Sequence, residues 1–246
     1  MTLIVQLDHP TDAVLLQEPP GSQSCGPADL SHQAHRQLIG FLGILLPWLL
    51  ILLAGVLPTE GLPRWGLLRS VSSYYYTGGV AAFVGILVAL SLFLFTYGGY
   101  KGYVADRVIG VVGGLCALGV AFFPTQPPSG VPGPTWWTNW MRSVHYVSAI
   151  LLFGVFILFS LWLFRKTNVP RGEELPRDKR WRNRVFLACG LVMVACVLWA
   201  ASAIVTRFSI FWPESIALTA FASSWLVKGY AYKPAVRMVK GVMGRS

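Results

Sequence analysis

Charge is scarce in this sequence, and histidine and cysteine are scarcer. Asp, Glu, Lys and Arg make up 12% of the 246 residues, about half the share in an ordinary soluble domain. Hydrophobic residues reach 54% and mean hydropathy is +0.57. A soluble core of this size has nowhere to hide so much apolar surface, whereas lipid solvates it at no cost. Soluble enzymes and soluble binding modules are excluded on that ground. Acids are rarer than bases, 10 against 20, for a formal net charge of +10. No basic stretch is interleaved with stacking aromatics, so nucleic acid is not an expected partner. A basic surplus of this kind is what cytoplasmic loops of membrane proteins carry.

Metal and nucleophile chemistry is poorly supplied. The four cysteines are Cys25, Cys116, Cys189 and Cys196, with no CxxC pair. The last three lie in apolar segments and read as small buried hydrophobes; Cys189 and Cys196 share a helix face but sit too far apart for a disulfide. HExxH and HxxxH are absent, and His145 is the one histidine inside an apolar span, whereas catalytic zinc usually takes three protein ligands. His32 and His35 read as a solvated interfacial pair. GxSxG, GxGxxG and the Walker pattern are missing too. No metal and no cofactor is expected.

Long apolar runs dominate what is present. They predict an all-α fold, a polytopic helical bundle with six transmembrane helices near 38–57, 79–97, 104–123, 144–164, 185–205 and 210–227, each close to the ~20 residues that cross a bilayer. Pro47 should kink the first. Residues 1–36 read as a polar N-terminal tail, 37–229 as the membrane domain and 230–246 as a basic C-terminal tail. With both termini in the cytoplasm, only Arg64, Arg69, Arg142 and Arg207 of the 20 Lys and Arg fall outside, leaving sixteen inside, a strong bias in the accepted direction. The stretch 124–140 has no charge but holds Trp136, Trp137 and Trp140, which suits the outer interface. Gly110 and Gly114 form a GxxxG pair, joined by Gly113 and Gly119 on a small-residue face for close helix approach. Asp106 suits the positive N-terminal end of the third helix.

Polar residues near a span are expensive and mark candidate sites. Topology gathers one group at the non-cytoplasmic ends of the helices. Ser73 and Tyr75 precede the second helix, Thr125 closes the third, and His145 and Ser148 open the fourth one turn apart. Arg207 ends the fifth and Glu214 opens the sixth. His145 is a proton carrier near neutral pH, and Glu214 is placed to orient it or to pair with Arg207. These seven residues are the expected outward polar pocket. Interhelical hydrogen bonding beneath an aromatic belt would use the same residues.

Several stretches in order, SVSSYYYT at 70–77, AFFPT at 121–125, His145 with Ser148 and Ala149, KRWRN at 179–183, and Glu214 followed by FASSWLVKG at 221–229, resemble a family of uncharacterised bacterial six-span membrane proteins, distantly similar to DRAM-like proteins. The resemblance covers roughly 37–229. It implies a multi-pass protein of the cell inner membrane and carries no settled activity. Three functions fit the residues, in this order. The first is a non-enzymatic binding or accessory protein whose partners are membrane lipids, a small amphipathic ligand or other membrane-protein subunits. The second is an intramembrane hydrolase using His145 and Glu214. The third is a proton-coupled transporter, disfavoured because no acid sits at mid-depth and only the first span is interrupted.

Overall fold

The computed structural model describes residues 27–97, 104–167 and 174–230. Every regular element among them is helical: α1 (Pro27–Val56), α2 (Val80–Phe95), α3 (Val104–Phe122), α4 (Asn139–Leu161), α5 (Arg177–Thr206) and α6 (Phe211–Tyr230), with 3-10 turns at Val71–Tyr76 and Leu163–Arg165. Each helix packs on the next in the chain and α6 returns to α1, so the six close a ring; α6 also touches α4.

The apolar runs fold as helices because a backbone in lipid must satisfy its own hydrogen bonds. Four helical segments are long and apolar enough to cross a membrane: Arg36–Val56, Val104–Phe122, Asn139–Arg165 and Arg177–Ala203. On that length and composition the chain is a helical membrane protein. α2 is apolar but has only 16 residues. α6 has 20 residues but is more polar, with Glu214, Ser215, Thr219, Ser223 and Ser224. Burial explains how α6 tolerates them. Pro213, Ala217, Phe221, Ser224 and Trp225 are all buried, so much of this helix faces protein rather than lipid. Three of its hydroxyls bond within the bundle: Thr219 and Ser223 each donate to the carbonyl four residues back at 2.8 Å, and Ser160 of α4 donates to Ser224 at 2.9 Å, while the buried Ser215 hydroxyl has no partner among the described residues.

α1 begins at Pro27, so helix extends into the stretch assigned to the N-terminal tail, and it runs through Pro47 to Val56. The rest of that tail, with Cys25, lies outside the described residues, as do Lys101, Arg171 and the basic tail from 231 onward. His32 and His35 fall on α1, and their side chains also lie outside the description.

The glycines of α3 work on two faces. A Cβ at Gly110 would come within 2.8 Å of the Leu94 carbonyl of α2, and one at Gly114 within 2.6 Å of the Phe95 ring. Gly113 faces Val155 of α4 and Gly119 faces Ser148. Inside the ring the core is aromatic: Phe156 of α4 stacks on Phe221 of α6 with centroids 3.5 Å apart, and Trp225 meets Phe164 edge-on at 5.0 Å.

Candidate functional site

The expected polar cluster lies around the segment between α1 and α2. Pro58 and Pro63 discourage a continuous helix there, and the chain turns back as the 3-10 turn Val71–Tyr76. Ser70 caps that turn by accepting from the Ser73 N–H at 3.1 Å, and the two hydroxyls bond each other at 2.7 Å. Thr77 closes it, donating from Oγ1 to the Tyr74 carbonyl at 2.7 Å and accepting from the Gly79 N–H at 3.1 Å. Local hydroxyls thus supply the hydrogen bonds that so short a turn cannot.

Three other parts of the ring grip this turn. From α4, His145 is 1% exposed, with Nδ1 2.7 Å from the Phe123 carbonyl and Nε2 2.9 Å from Ser72 Oγ. A carbonyl only accepts, so Nδ1 carries the proton; in the neutral ring Nε2 is then the acceptor, and the Ser72 hydroxyl donates to it. From α6, Glu214 Oε2 accepts from the buried Val71 N–H at 2.6 Å. From the segment after α3, the Thr125 carbonyl accepts the Tyr76 hydroxyl at 2.5 Å, while Thr125 Oγ1 is 3.3 Å from the Tyr146 hydroxyl. Just before the turn, the Arg69 carbonyl accepts from the Ile210 N–H at 2.7 Å. Tyr74 is fully buried with its ring 5.9 Å from Phe211. Burial pushes the phenols of Tyr74, Tyr75 and Tyr76 above their ordinary value, helped at Tyr76 by its neighbour Tyr75, so all three stay neutral.

The seven expected residues do not form one pocket. His145, Thr125 and Glu214 meet on the turn, but His145 holds Ser72 while Glu214 holds the adjacent Val71. Ser73 is spent on Ser70. Tyr75 is half-buried, edge-on to Tyr76 and Phe83 at 5.4 and 6.2 Å. Ser148 packs against Gly119. Arg207 makes no ion pair with Glu214. It is exposed, caps α5 in a left-handed conformation with φ 56°, and its carbonyl accepts from Arg69 Nη2 at 3.1 Å. Ser72, outside the expected seven, is the hydroxyl that meets the histidine.

A second clasp joins the loops at this end of the ring. Gly61 and Gly130 both have positive φ, 80° and 90°, and a Cβ on Gly130 would sit 3.1 Å from the Gly61 carbonyl. These backbones meet only because neither has a side chain. Beside this loop, a cavity of 10 Å³ lined by Ala54, Leu62, Arg64 and Thr77 has room for about one water molecule. Among the described residues, no three of His, Cys, Asp and Glu lie close enough together to share a metal ion. Trp65, Trp136, Trp140 and Trp212 are exposed around this end, where indole rings suit a membrane interface. No protein-family model, curated protein or solved structure matches this chain.

Proposed function

We propose that this chain crosses a bacterial inner membrane six times with both termini in the cytoplasm, as a member of the six-span family it resembles. In this reading it is a non-enzymatic binding or accessory protein. Its outward face takes a lipid or small amphipathic molecule, or packs against further subunits of a membrane complex. The observation that carries the non-enzymatic reading is the use of the polar atoms. Both ring nitrogens of His145 and one oxygen of Glu214 are committed to holding residues 71, 72 and 123. The exposed tryptophans around that end offer apolar contact area to a lipid or a partner helix.

One contact favours a second reading. Ser72 Oγ–H on His145 Nε2, with Nδ1–H on a carbonyl, is the donor order of a serine nucleophile and its base. A hydrolase built this way would use Ser72 Oγ to attack an ester carbonyl. Nε2 would take the hydroxyl proton and deliver it to the leaving alcohol, and water would then release the acyl group from Ser72. A fluorophosphonate probe on the purified protein separates the two readings. The binding or accessory reading predicts no adduct on Ser72 and no hydrolysis of glycerolipid or ceramide, with His145→Ala costing ~1–3 kcal/mol of stability for each buried partner left unsatisfied. An adduct on Ser72, with turnover that falls ~10²–10⁴-fold in His145→Ala, would establish the hydrolase instead.

A further inference from the structure

Among the described residues, Trp65 and Arg207 are the two that hold a left-handed backbone without being glycine, at φ 63° and 56°. They stand on two segments, distant in sequence, that the fold laces together. The Ile210 N–H donates to the Arg69 carbonyl at 2.7 Å, Ser209 Oγ donates to the same carbonyl at 3.1 Å, and Arg69 Nη2 donates to the Arg207 carbonyl at 3.1 Å. Packing accounts for Trp65, whose ring fills the space that a Cβ on Gly55 would need. It does not account for Arg207. This residue caps α5 in the conformation that glycine usually supplies at a helix C-terminus, yet its side chain is exposed and forms no ion pair among the described residues. The α5 dipole favours a cation at this end, but a basic residue in the last helical turn would gain as much without the strained backbone. Strain of this kind collects at ligand clamps.

Arg69 and Arg207 are two of the four basic residues that the proposed topology leaves on the outward side, against the usual bias. The other two have local work. Arg64 Nε donates to the Gly55 carbonyl at 3.0 Å, in the last turn of α1, and Arg142 donates to Gln126 Oε1 at 3.0 Å. Arg69 and Arg207 are both exposed, and neither lies within ion-pair distance of an acid among the described residues. Glu214, the acid of the adjoining helix, is spent on Val71. A guanidinium presents five donors, of which Arg69 gives one nitrogen to a carbonyl, and its planar fork matches the oxygens of a phosphate. Beside these two charges Leu67 and Phe208 are 48% and 66% exposed, and Trp65 and Trp212 are exposed on the same segments. Guanidinium next to aromatic and aliphatic surface suits the headgroup layer, where one side of a site meets charge and the other meets hydrocarbon. A zwitterionic headgroup offsets its own phosphate, so two cations without an acid complement an anionic headgroup better.

We propose that Arg69 and Arg207 clamp the phosphate of an anionic phospholipid, with Leu67 and Phe208 against its apolar part. The inference rests on the reading that this end of the ring takes a lipid, and it names the lipid's charge and the residues that hold it. The test places the full chain in nanodiscs of phosphatidylcholine with rising fractions of phosphatidylglycerol and follows thermal unfolding. Nanodiscs offer lipid to both ends, so the orientation of the chain does not enter. The wild-type midpoint should rise with phosphatidylglycerol. Arg207→Gly relieves the left-handed strain and should unfold no earlier than the wild type in phosphatidylcholine alone. Its response to phosphatidylglycerol should nevertheless be weaker by about tenfold or more, as expected for a lost charged hydrogen bond. Arg69→Gln should weaken the response likewise, and it decides the matter should Arg207→Gly fail to fold. Arg165→Gln, exposed just after α4, should respond as the wild type does. No wild-type response overturns both this proposal and an anionic lipid ligand. A full response in Arg207→Gly and Arg69→Gln keeps lipid binding but moves it elsewhere, which overturns this site alone. An equal loss in Arg165→Gln reduces the effect to net charge and overturns it too. Earlier unfolding of Arg207→Gly in phosphatidylcholine, with an unchanged response to phosphatidylglycerol, would assign the residue to helix capping instead.

Discussion

Glu214 stands in the first turn of α6 and gives its carboxylate to the Val71 N–H rather than to Arg207. That difference has a measurable consequence. Glu214→Ala removes the acceptor from a buried N–H and should cost ~1–3 kcal/mol, read as thermal unfolding in detergent. Glu214→Gln retains an acceptor oxygen and should cost less. Arg207→Ala should stay within ~0.5 kcal/mol, because its contacts run through the backbone and its side chain is exposed. Equal losses at both positions would point back to an ion pair between them. Residue types and depth identify His145, Thr125 and Glu214 from sequence, because topology alone brings them to one end of the bundle. The choice of Ser72 over Ser73 does not emerge that way. In a 3-10 turn side chains three apart eclipse, so Ser73 falls back on Ser70 and leaves Ser72 to meet α4. The phase of that turn has no hydropathy signature.

Among the elements, α3 shows how small residues turn into packing. The GxxxG pair predicts close approach, and Gly110 and Gly114 do lie against α2. That Gly113 faces α4 follows from ring closure on both sides, which spacing within one helix does not encode. Gly113→Leu should drive its side chain into Val155 and cost ~1–3 kcal/mol or more by overpacking. Gly85 of α2 has no neighbouring atom within 4 Å of where its Cβ would stand, so Gly85→Leu should be tolerated in the same thermal assay. Similar losses for both would mean that intrinsic helix formation, not packing, decides. α6 makes a related point. Its serines and threonine depress its hydropathy, yet it touches α1, α4 and α5. A window of sequence scores a helix as though all its faces met one solvent, whereas α6 meets mostly protein.

At the scale of the whole molecule, the two ends of the ring are chemically unlike. One is closed by hydrogen bonds around residues 71–76, crossed by the Gly61–Gly130 contact and rimmed by tryptophan. The other carries half-buried ammonium and guanidinium groups around Asp106. The proposed topology, which rests on the bias of sixteen Lys and Arg against four, puts the basic end in the cytoplasm. In that proposal six crossings carry α2 and α6 through the membrane beside the four longer segments. Residues 129 and 174 are exposed at the two ends of α4, so they report on its crossing and its orientation. In a background with Cys25, Cys116, Cys189 and Cys196 replaced by serine or alanine, Ser129→Cys and Glu174→Cys would be treated on intact cells with a thiol reagent that does not cross membranes. The account predicts that the cysteine at 129 is modified and that the one at 174 reacts only after the cells are broken. Modification at 174 in intact cells, with 129 protected, would contradict the orientation, and equal labelling of both would contradict a crossing by α4.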